Sequence, residues 1–220
     1  MNVEIKSKPS FAYLDIELAP GETIVAEASA MSSMSAELEM EAKLNGGIIQ
    51  ALLKKFLGSE SFFINHFTNK SNKPLRLTLT QSTPGDIVAY PLNGNTLCLE
   101  RGAYIASDPG VNIGIRFAGI ASFIAREGLF KLVVSGHGNV YFGSYGGMVE
   151  KEINGEYIID SGHLIAYGPD MKLKTQLSNG LIGSITSGEG FVTRISGKGK
   201  IYMQTRSLSG LVSWINRHLA

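Results

Sequence analysis

The chain has 220 residues, of which 44% are hydrophobic and 18% charged, and its formal net charge is +1. This composition is typical of a folded globular protein and excludes a disordered chain. The only cysteine, Cys98, excludes an intramolecular disulfide and a metal site made of cysteines alone, and its apolar neighbours favour a buried thiol. No apolar run approaches the about 18 residues that span a bilayer. The first 18 residues lack the apolar core of a secretory signal, so we expect a cytoplasmic protein.

Charge is distributed unevenly along the chain. Residues 1–43 contain eight acids and three bases, a net charge of −5, whereas residues 190–220 contain five bases and no acid, a net charge of +5. A basic segment can indicate an anionic partner. It can equally pair with the acidic segment, within one chain or between subunits, and the near-cancellation of the two charges favours this second interpretation.

Alternation of apolar and polar residues predicts β-strands along most of the chain. From Met34 to Leu44 the alternation predicts a strand with one apolar and one acidic face, although the residue types themselves favour a helix. Residues 75–80 alternate in the same way, and so do residues 200–206.

Three stretches predict helices instead. Residues 48–57 read as a short amphipathic helix, and residues 120–126 as one or two helical turns. Leu208 to Leu219 places Leu211, Trp214 and Ile215 on one face, which predicts a C-terminal helix docked on the body of the protein.

Asn and Gly tolerate positive φ, so their pairs predict tight reversals. The predicted reversals are Pro20-Gly21, Pro84-Gly85, Asn93-Gly94, Asp108-Pro109-Gly110, Asn154-Gly155 and Asn179-Gly180. Two Gly-x-Gly runs, at 136–138 and 197–199, lack the further residues of a dinucleotide or phosphate loop, and we expect them to form tight hairpins.

Glycine-led segments recur at 21–25, 102–106 and 155–159, and strands that begin with phenylalanine recur at Phe62, Phe130 and Phe191. Repeated segments of this kind indicate a fold built from similar units, independently of the secondary structure assigned to each segment. We therefore predict an all-β fold of jelly-roll-like β-sandwich units repeated about three times in a pseudo-three-fold arrangement. The predicted units cover approximately residues 10–80, 81–147 and 148–207 of a single domain, 1–220, that ends in helix 208–219.

The segment 188–207, which contains Ser196-Gly197-Lys198-Gly199-Lys200-Ile201-Tyr202, resembles the closing signature of the altered-inheritance-of-mitochondria family, formerly a domain of unknown function. Residues 155–166 and 99–106 are similar to its other conserved segments. The resemblance covers residues 10 to 207 and implies a β fold like that of the tryptophan-sensing RNA-binding attenuation protein. It implies no established activity, and since no presequence is visible, we do not carry over the mitochondrial link of the yeast member.

Candidate sites are few. The four histidines (His66, His137, His163 and His218) lack metal-ligand spacing, and we predict no catalytic residue, metal site or cofactor. Asp160 precedes His163 by three residues, which suits either an oriented imidazole or, more simply, a turn capped by Asp160. His137 is expected at an exposed hairpin tip.

The leading functional prediction is a non-enzymatic, self-associating scaffold or binding protein, a trimer or ring, with an unknown small-molecule ligand, if any. The first alternative is single-stranded RNA or other nucleic-acid binding by Lys198, Lys200, Tyr202 and Arg206, which place an aromatic ring among positive charges. A pI of about 7.8 counts against this alternative. The second alternative is association with a membrane surface through the helix predicted at 48–57, but core docking or a subunit contact explains that helix better.

Overall fold

The computed structural model describes residues 1–43, 64–100, 102–117, 130–160, 162–177 and 191–219. These residues form fifteen strands and one helix, which confirms the predicted all-β class. The strands are β1 (Asn2–Lys6), β2 (Tyr13–Leu18), β3 (Thr23–Glu27), β4 (Met31–Met34), β5 (Glu39–Lys43), β6 (Ile64–Thr68), β7 (Leu75–Thr80), β8 (Ile87–Leu99), β9 (Tyr104–Ser107), β10 (Val111–Phe117), β11 (Phe130–Gly143), β12 (Met148–Asp160), β13 (Leu164–Tyr167), β14 (Lys172–Leu177) and β15 (Phe191–Gln204), and the helix is α1 (Leu208–His218). The helices predicted at 48–57 and 120–126, and the reversal at Asn179-Gly180, lie outside the described residues.

A four-stranded antiparallel sheet, in the order β1-β2-β7-β4, contains the clearest alternation in the sequence. Alternate residues of β2 and β7 are fully buried, and Ile16 lies directly opposite Leu77. Burying one such side chain stabilises the fold by about 1.5–3 kcal/mol. The alternation predicted at residues 75–80 is therefore confirmed, and this apolar face packs against Ile87, Ile105 and Tyr141 of the larger sheet.

The larger sheet has eleven strands, nine of them in the order β12-β15-β13-β8-β11-β9-β3-β6-β5. The remaining two, β10 and β14, pair with β11 and β15 respectively. Each of the two fourteen-residue strands thus has three partners: one along most of its length, and two that share its other side.

The strands β8–β11 and β12–β15 form two units with the same connectivity, named here the middle unit and the last unit. In the middle unit Tyr141 lies opposite Ala106, and in the last unit Tyr202 lies opposite Ala166. In both units the short strand that supplies the alanine follows the thirteen-residue strand, β8 or β12, and precedes the next partner of the fourteen-residue strand. The pseudo-three-fold arrangement of three units stays a prediction.

A turn with glycine at its third position precedes β3, β9 and β13. The turns are Ala19–Glu22, Glu100–Ala103 and Asp160–His163, closed by backbone hydrogen bonds of 3.1, 3.2 and 3.1 Å. Their glycines, Gly21, Gly102 and Gly162, have φ of +81°, +76° and +89°, which favours glycine. The third glycine-led segment therefore begins at Gly162. The prediction that this segment begins at Gly155 is wrong because Gly155 lies inside β12.

Several glycines that predicted chain reversals lie in the middle of long strands. Gly94 and Gly155 lie within β8 and β12, and both Gly-x-Gly runs lie within β11 and β15, so the predicted reversals and hairpins at these positions are wrong. Positive φ at these glycines changes the local strand conformation without ending the strand. The prediction failed because turns and mid-strand irregularities use the same residue types. The reversal at Pro20-Gly21 is confirmed.

The strand predicted from Met34 to Leu44 is interrupted. A turn closed by the Leu38 amide and the Ser35 carbonyl (3.0 Å) separates β4 from β5, which belong to different sheets. Leu38 is buried, whereas Met40 is exposed on β5, at one end of the sheet order. Strand conformation is thus confirmed at Met34 and from Glu39 to Lys43, Leu44 lies outside the described residues, and the single two-faced strand is wrong.

Substitution of Gly138 tests how much the fold depends on a glycine in the middle of a strand. Its φ is +126°, and an added Cβ would lie 2.7 Å from the Cβ of Asp108. We predict that Gly138→Ala lowers the free energy of unfolding by about 2 kcal/mol or more, measured by urea denaturation. The matched control is Gly168→Ala, because a Cβ there meets nothing within 4 Å. Equal stabilities of the two variants would contradict the requirement.

Candidate functional site

The four residues predicted to bind nucleic acid do not form one exposed platform. Lys198 and Arg206 are exposed, and Lys200 forms an ion pair with Glu150 of β12 (Nζ–Oε1 2.5 Å). Tyr202 is only 3% exposed, and its ring packs edge-on against Phe142 at a centroid distance of 5.2 Å. A buried ring cannot stack on a base, so the predicted alternation of charge and aromatic surface is not present.

The Asp160–His163 pair belongs to the turn before β13. The amide of His163 donates to the carbonyl of Asp160, and the ring Nδ1 lies 2.7 Å from the carbonyl oxygen of Gln204. His163 Nε2 is 3.6 Å from Asp160 Oδ2. The imidazole therefore links this turn to the end of β15. Among the described residues, no group of three or more His, Cys, Asp or Glu side chains could hold a metal ion.

His137 is exposed as predicted, but its position differs from the prediction. It lies within β11, opposite Asn93 of β8 and beside a register shift, rather than at a hairpin tip. The glycines that flank it belong to the same strand.

Charged residues of the acidic segment (1–43) and of the basic segment (190–220) form ion pairs with residues nearby in the fold. In the acidic segment, Glu39, Glu37 and Glu17 pair with Lys70, Lys73 and Arg76, at distances of 2.5, 3.0 and 3.1 Å. In the basic segment, Arg194 pairs with Glu156 at 2.6 Å, and Lys200 pairs with Glu150. These ion pairs neutralise each segment within its own part of the fold, so attraction between the two segments is not needed to explain the near-zero net charge.

Buried polar groups mark the junction of the middle and last units. Cys98 is fully buried, as predicted, and burial raises the pKa of its thiol, which disfavours the reactive thiolate. Nearby, Lys131 is only 3% exposed and pairs with Glu100, whose side chain is also largely buried. Arg116 of the middle unit donates to the carbonyl of Pro169 in the last unit (3.1 Å). No local sequence pattern indicates this buried ion pair, because Glu100 and Lys131 are 31 residues apart.

One face of the middle unit is covered by the last unit. Cys98 lies opposite Val133, and both pack with Tyr167, Met171 and Ile195 of the last unit. In addition, Tyr167 and Ala166 of β13 pair with Cys98 and Leu99, so the last unit extends the edge of β8. This face and edge form a continuous interface within the chain.

Among the residues that the structure describes, the corresponding face of the last unit lacks such a cover. Ile158 corresponds to Cys98, because each lies two residues before the first residue of a glycine turn. Ile158 is opposite Arg194, and its side chain is 52% exposed. The strand pairing described for β12 is with β15 alone, and β12 ends the strand order of the larger sheet. The surface formed by Ile158, Arg194 and the adjacent edge of β12 is named here the open face.

The C-terminal helix forms as predicted, but its docking is not confirmed. Ser207 caps α1 by accepting a hydrogen bond from the Gly210 amide (3.2 Å), and none of the eleven helical residues is buried. Leu208, Leu211, Val212, Trp214 and Leu219 are all exposed. Docking on the described part of the body was the wrong expectation, since the apolar face lacks a cover there. No helix in the described ranges is long and apolar enough to cross a bilayer.

These features define an all-β protein built on large antiparallel sheets. The family model described as mitochondrial biogenesis AIM24 matches residues 3–206, and the chain belongs to this family.

Two relatives come from Streptococcus pyogenes. An uncharacterised protein of serotype M6 is 27% identical over 228 residues, which cover 100% of this chain and 91% of that protein. The crystal structure of protein SPYM3_0169 is similar with a TM-score of 0.79 and 27% identity, and the match covers 99% of each chain. The names of these relatives state no activity.

The Glu100–Lys131 pair gives a test of the junction. We predict that Lys131→Met lowers the free energy of unfolding by about 3–5 kcal/mol in urea denaturation, because it leaves the Glu100 carboxylate buried without this charge partner. The double variant with Glu100→Leu is expected to recover most of the loss. Lys172→Met, at an exposed position, serves as the control. A loss below about 1 kcal/mol for Lys131→Met would contradict a structural role for the pair.

Glu27, at the end of β3, gives a pH test. Burial raises the pKa of its carboxyl from 4.5 to about 7, so the folded state holds this proton more tightly than the unfolded state. Its contribution to stability is present below pH 4.5 and is lost as pH rises towards 7. We predict that Glu27→Gln is more stable than wild type by about 1–3 kcal/mol at pH 8, with no gain at pH 4. Exposed Glu152→Gln should show no such difference, and an equal gain at both pH values would contradict the account.

Proposed function

We propose that the protein is a non-enzymatic scaffold that self-associates through the open face. The comparison of Ile158 with Cys98 carries this proposal. Cys98 is 0% exposed beneath the last unit, whereas Ile158 is 52% exposed at the corresponding position. This exposed apolar residue lies beside the edge of β12, and an edge strand can pair with a further copy of the chain.

The association we propose joins different surfaces of neighbouring copies. Within the chain, the last unit covers the middle unit by adding β13 to the edge of β8. If the same relation continued to a second copy, the contact would be head to tail, and such contacts close into rings when the rotation permits. This is consistent with a trimer or ring built from three-unit chains in a pseudo-three-fold arrangement.

The role as a scaffold is supported by how the charged side chains are used. Several of the described ion pairs connect neighbouring strands, as between Arg194 and Glu156 or Lys200 and Glu150. The buried Glu100–Lys131 pair lies at the junction of two units, because the Glu100 amide donates to the Ile165 carbonyl of the last unit (2.7 Å). Charged groups engaged in this way stabilise the sheet and its junctions, which is the requirement for a rigid binding or assembly module in the cytoplasm.

Nucleic-acid binding is the weaker alternative. Exposed Lys172, Lys174 and Lys198 on β14 and β15 could contact phosphates, but the aromatic platform is lost with the burial of Tyr202.

The open face is tested by Ile158→Asp. We predict that wild type has a molar mass that is a multiple of 23.7 kDa in size exclusion with light scattering, and that Ile158→Asp is monomeric. A buried carboxylate would be costly at the contact, whereas in the monomer the introduced carboxylate would be exposed and opposite Arg194.

Val149→Asp is the matched control, because Val149 is exposed on the same strand but outside the open face. It should leave the assembly intact, and circular dichroism should show that both variants are folded. Raised salt should change the assembly little, since the main charge pairs lie within each chain. A monomeric wild type, or an assembly unaffected by Ile158→Asp, would refute the proposal.

A further inference from the structure

Helix α1 has an apolar stripe that the described part of the chain leaves uncovered. At 100° per residue, Leu208, Leu211, Val212, Ile215 and Leu219 fall on one side of the helix. Ser209, Ser213, Asn216 and Arg217 fall on the other side. An aliphatic stripe opposite a polar face that carries Arg217 is typical of amphipathic helices that lie in a membrane interface.

We propose that α1 binds the surface of an anionic lipid bilayer, with the aliphatic stripe among the acyl chains and the serine face towards water. This goes beyond self-association and uses a surface other than the open face.

Charge favours lipid over a second copy of the helix. Residues 206–219 contain two arginines, Arg206 and Arg217, and no acid, and these two arginines flank the apolar stripe. Two copies of α1 packed together would bring these cations close without an acid from either helix segment to neutralise them. Anionic headgroups supply the missing charge, and each basic residue near such a surface strengthens binding.

Trp214 lies where an interfacial residue is expected. It is 55% exposed at the edge of the stripe, and its ring stacks on His218 at a centroid distance of 4.5 Å. Amphipathic aromatic rings favour the headgroup level of a bilayer. The helix is already formed and capped by Ser207, so binding would not have to order it.

Trp214 is the only tryptophan in the chain, so its fluorescence reports directly on α1. The experiment mixes the full chain with phosphatidylcholine vesicles that contain or lack phosphatidylglycerol, and measures Trp emission and vesicle flotation. We expect a blue shift and flotation with phosphatidylglycerol vesicles, and binding more than about tenfold weaker with neutral vesicles or at high salt.

Matched variants place the same residue on opposite faces of the helix. Leu211→Asn should abolish flotation, whereas Ser213→Asn should retain it. Both positions are exposed, so neither variant should impair folding of the sheets. The Ile158→Asp variant, which we expect to be monomeric, is tested in parallel. Its flotation would show that α1 binds lipid without self-association through the open face.

Three results would overturn the proposal. The first is the absence of a blue shift with phosphatidylglycerol vesicles. The second is flotation that Leu211→Asn leaves unchanged. The third is a blue shift that rises with protein concentration without vesicles, which would make a second copy of the chain the partner of α1.

Discussion

Backbone pairing along β11 and β15 is the constraint on which the larger sheet depends. Each strand holds one long partner on one side and two shorter partners on the other, so fourteen residues organise a whole unit. Such a strand must change its local conformation without losing its hydrogen bonds, and glycines with positive φ at its centre allow this. At Gly138 the missing side chain also lets Asp108 approach, and the Asp108 carboxylate accepts a hydrogen bond from the Asn139 amide (2.7 Å). The glycines whose sequence context predicts chain reversals are thus part of continuous strands.

Glycine with positive φ occurs both in turns and inside strands, and this limits what can be predicted from the sequence. Alternation identified β7 well, because one face of this strand is buried and the other is not. Turn chemistry identified Pro20-Gly21, but the same residue types at Gly94, Gly155 and the Gly-x-Gly runs were assigned to reversals. Local sequence does not distinguish a strand that bends from one that ends, since the difference lies in whether distant strands continue to pair. The third repeated segment was therefore placed at Gly155 instead of Gly162, and the correspondence between Cys98 and Ile158 was missed.

The candidate site was predicted less well than the fold, for a related reason. A pattern of lysines around Tyr202 suggests an exposed platform only if every second residue faces solvent. On β15 both Ile201 and Tyr202 are buried, because this strand contacts core on each side of the sheet. Burial of an aromatic ring by a neighbouring unit depends on tertiary packing and has no local sequence pattern. The open face has a related origin. The last unit covers one face of the middle unit, but the described chain has no further unit that covers the same face of the last unit. The apolar stripe of α1 lies on one side of a helix, as predicted, and the described part of the chain does not bury it.

The central claim, that the open face of one copy is covered by another, is tested most directly by hydrogen exchange with mass spectrometry at high and low protein concentration. The account predicts that amides of residues 157–160 become more protected as concentration rises, while the amides of β7, buried in the sheet core, exchange slowly at both concentrations. Equal exchange of residues 157–160 at all concentrations would contradict it.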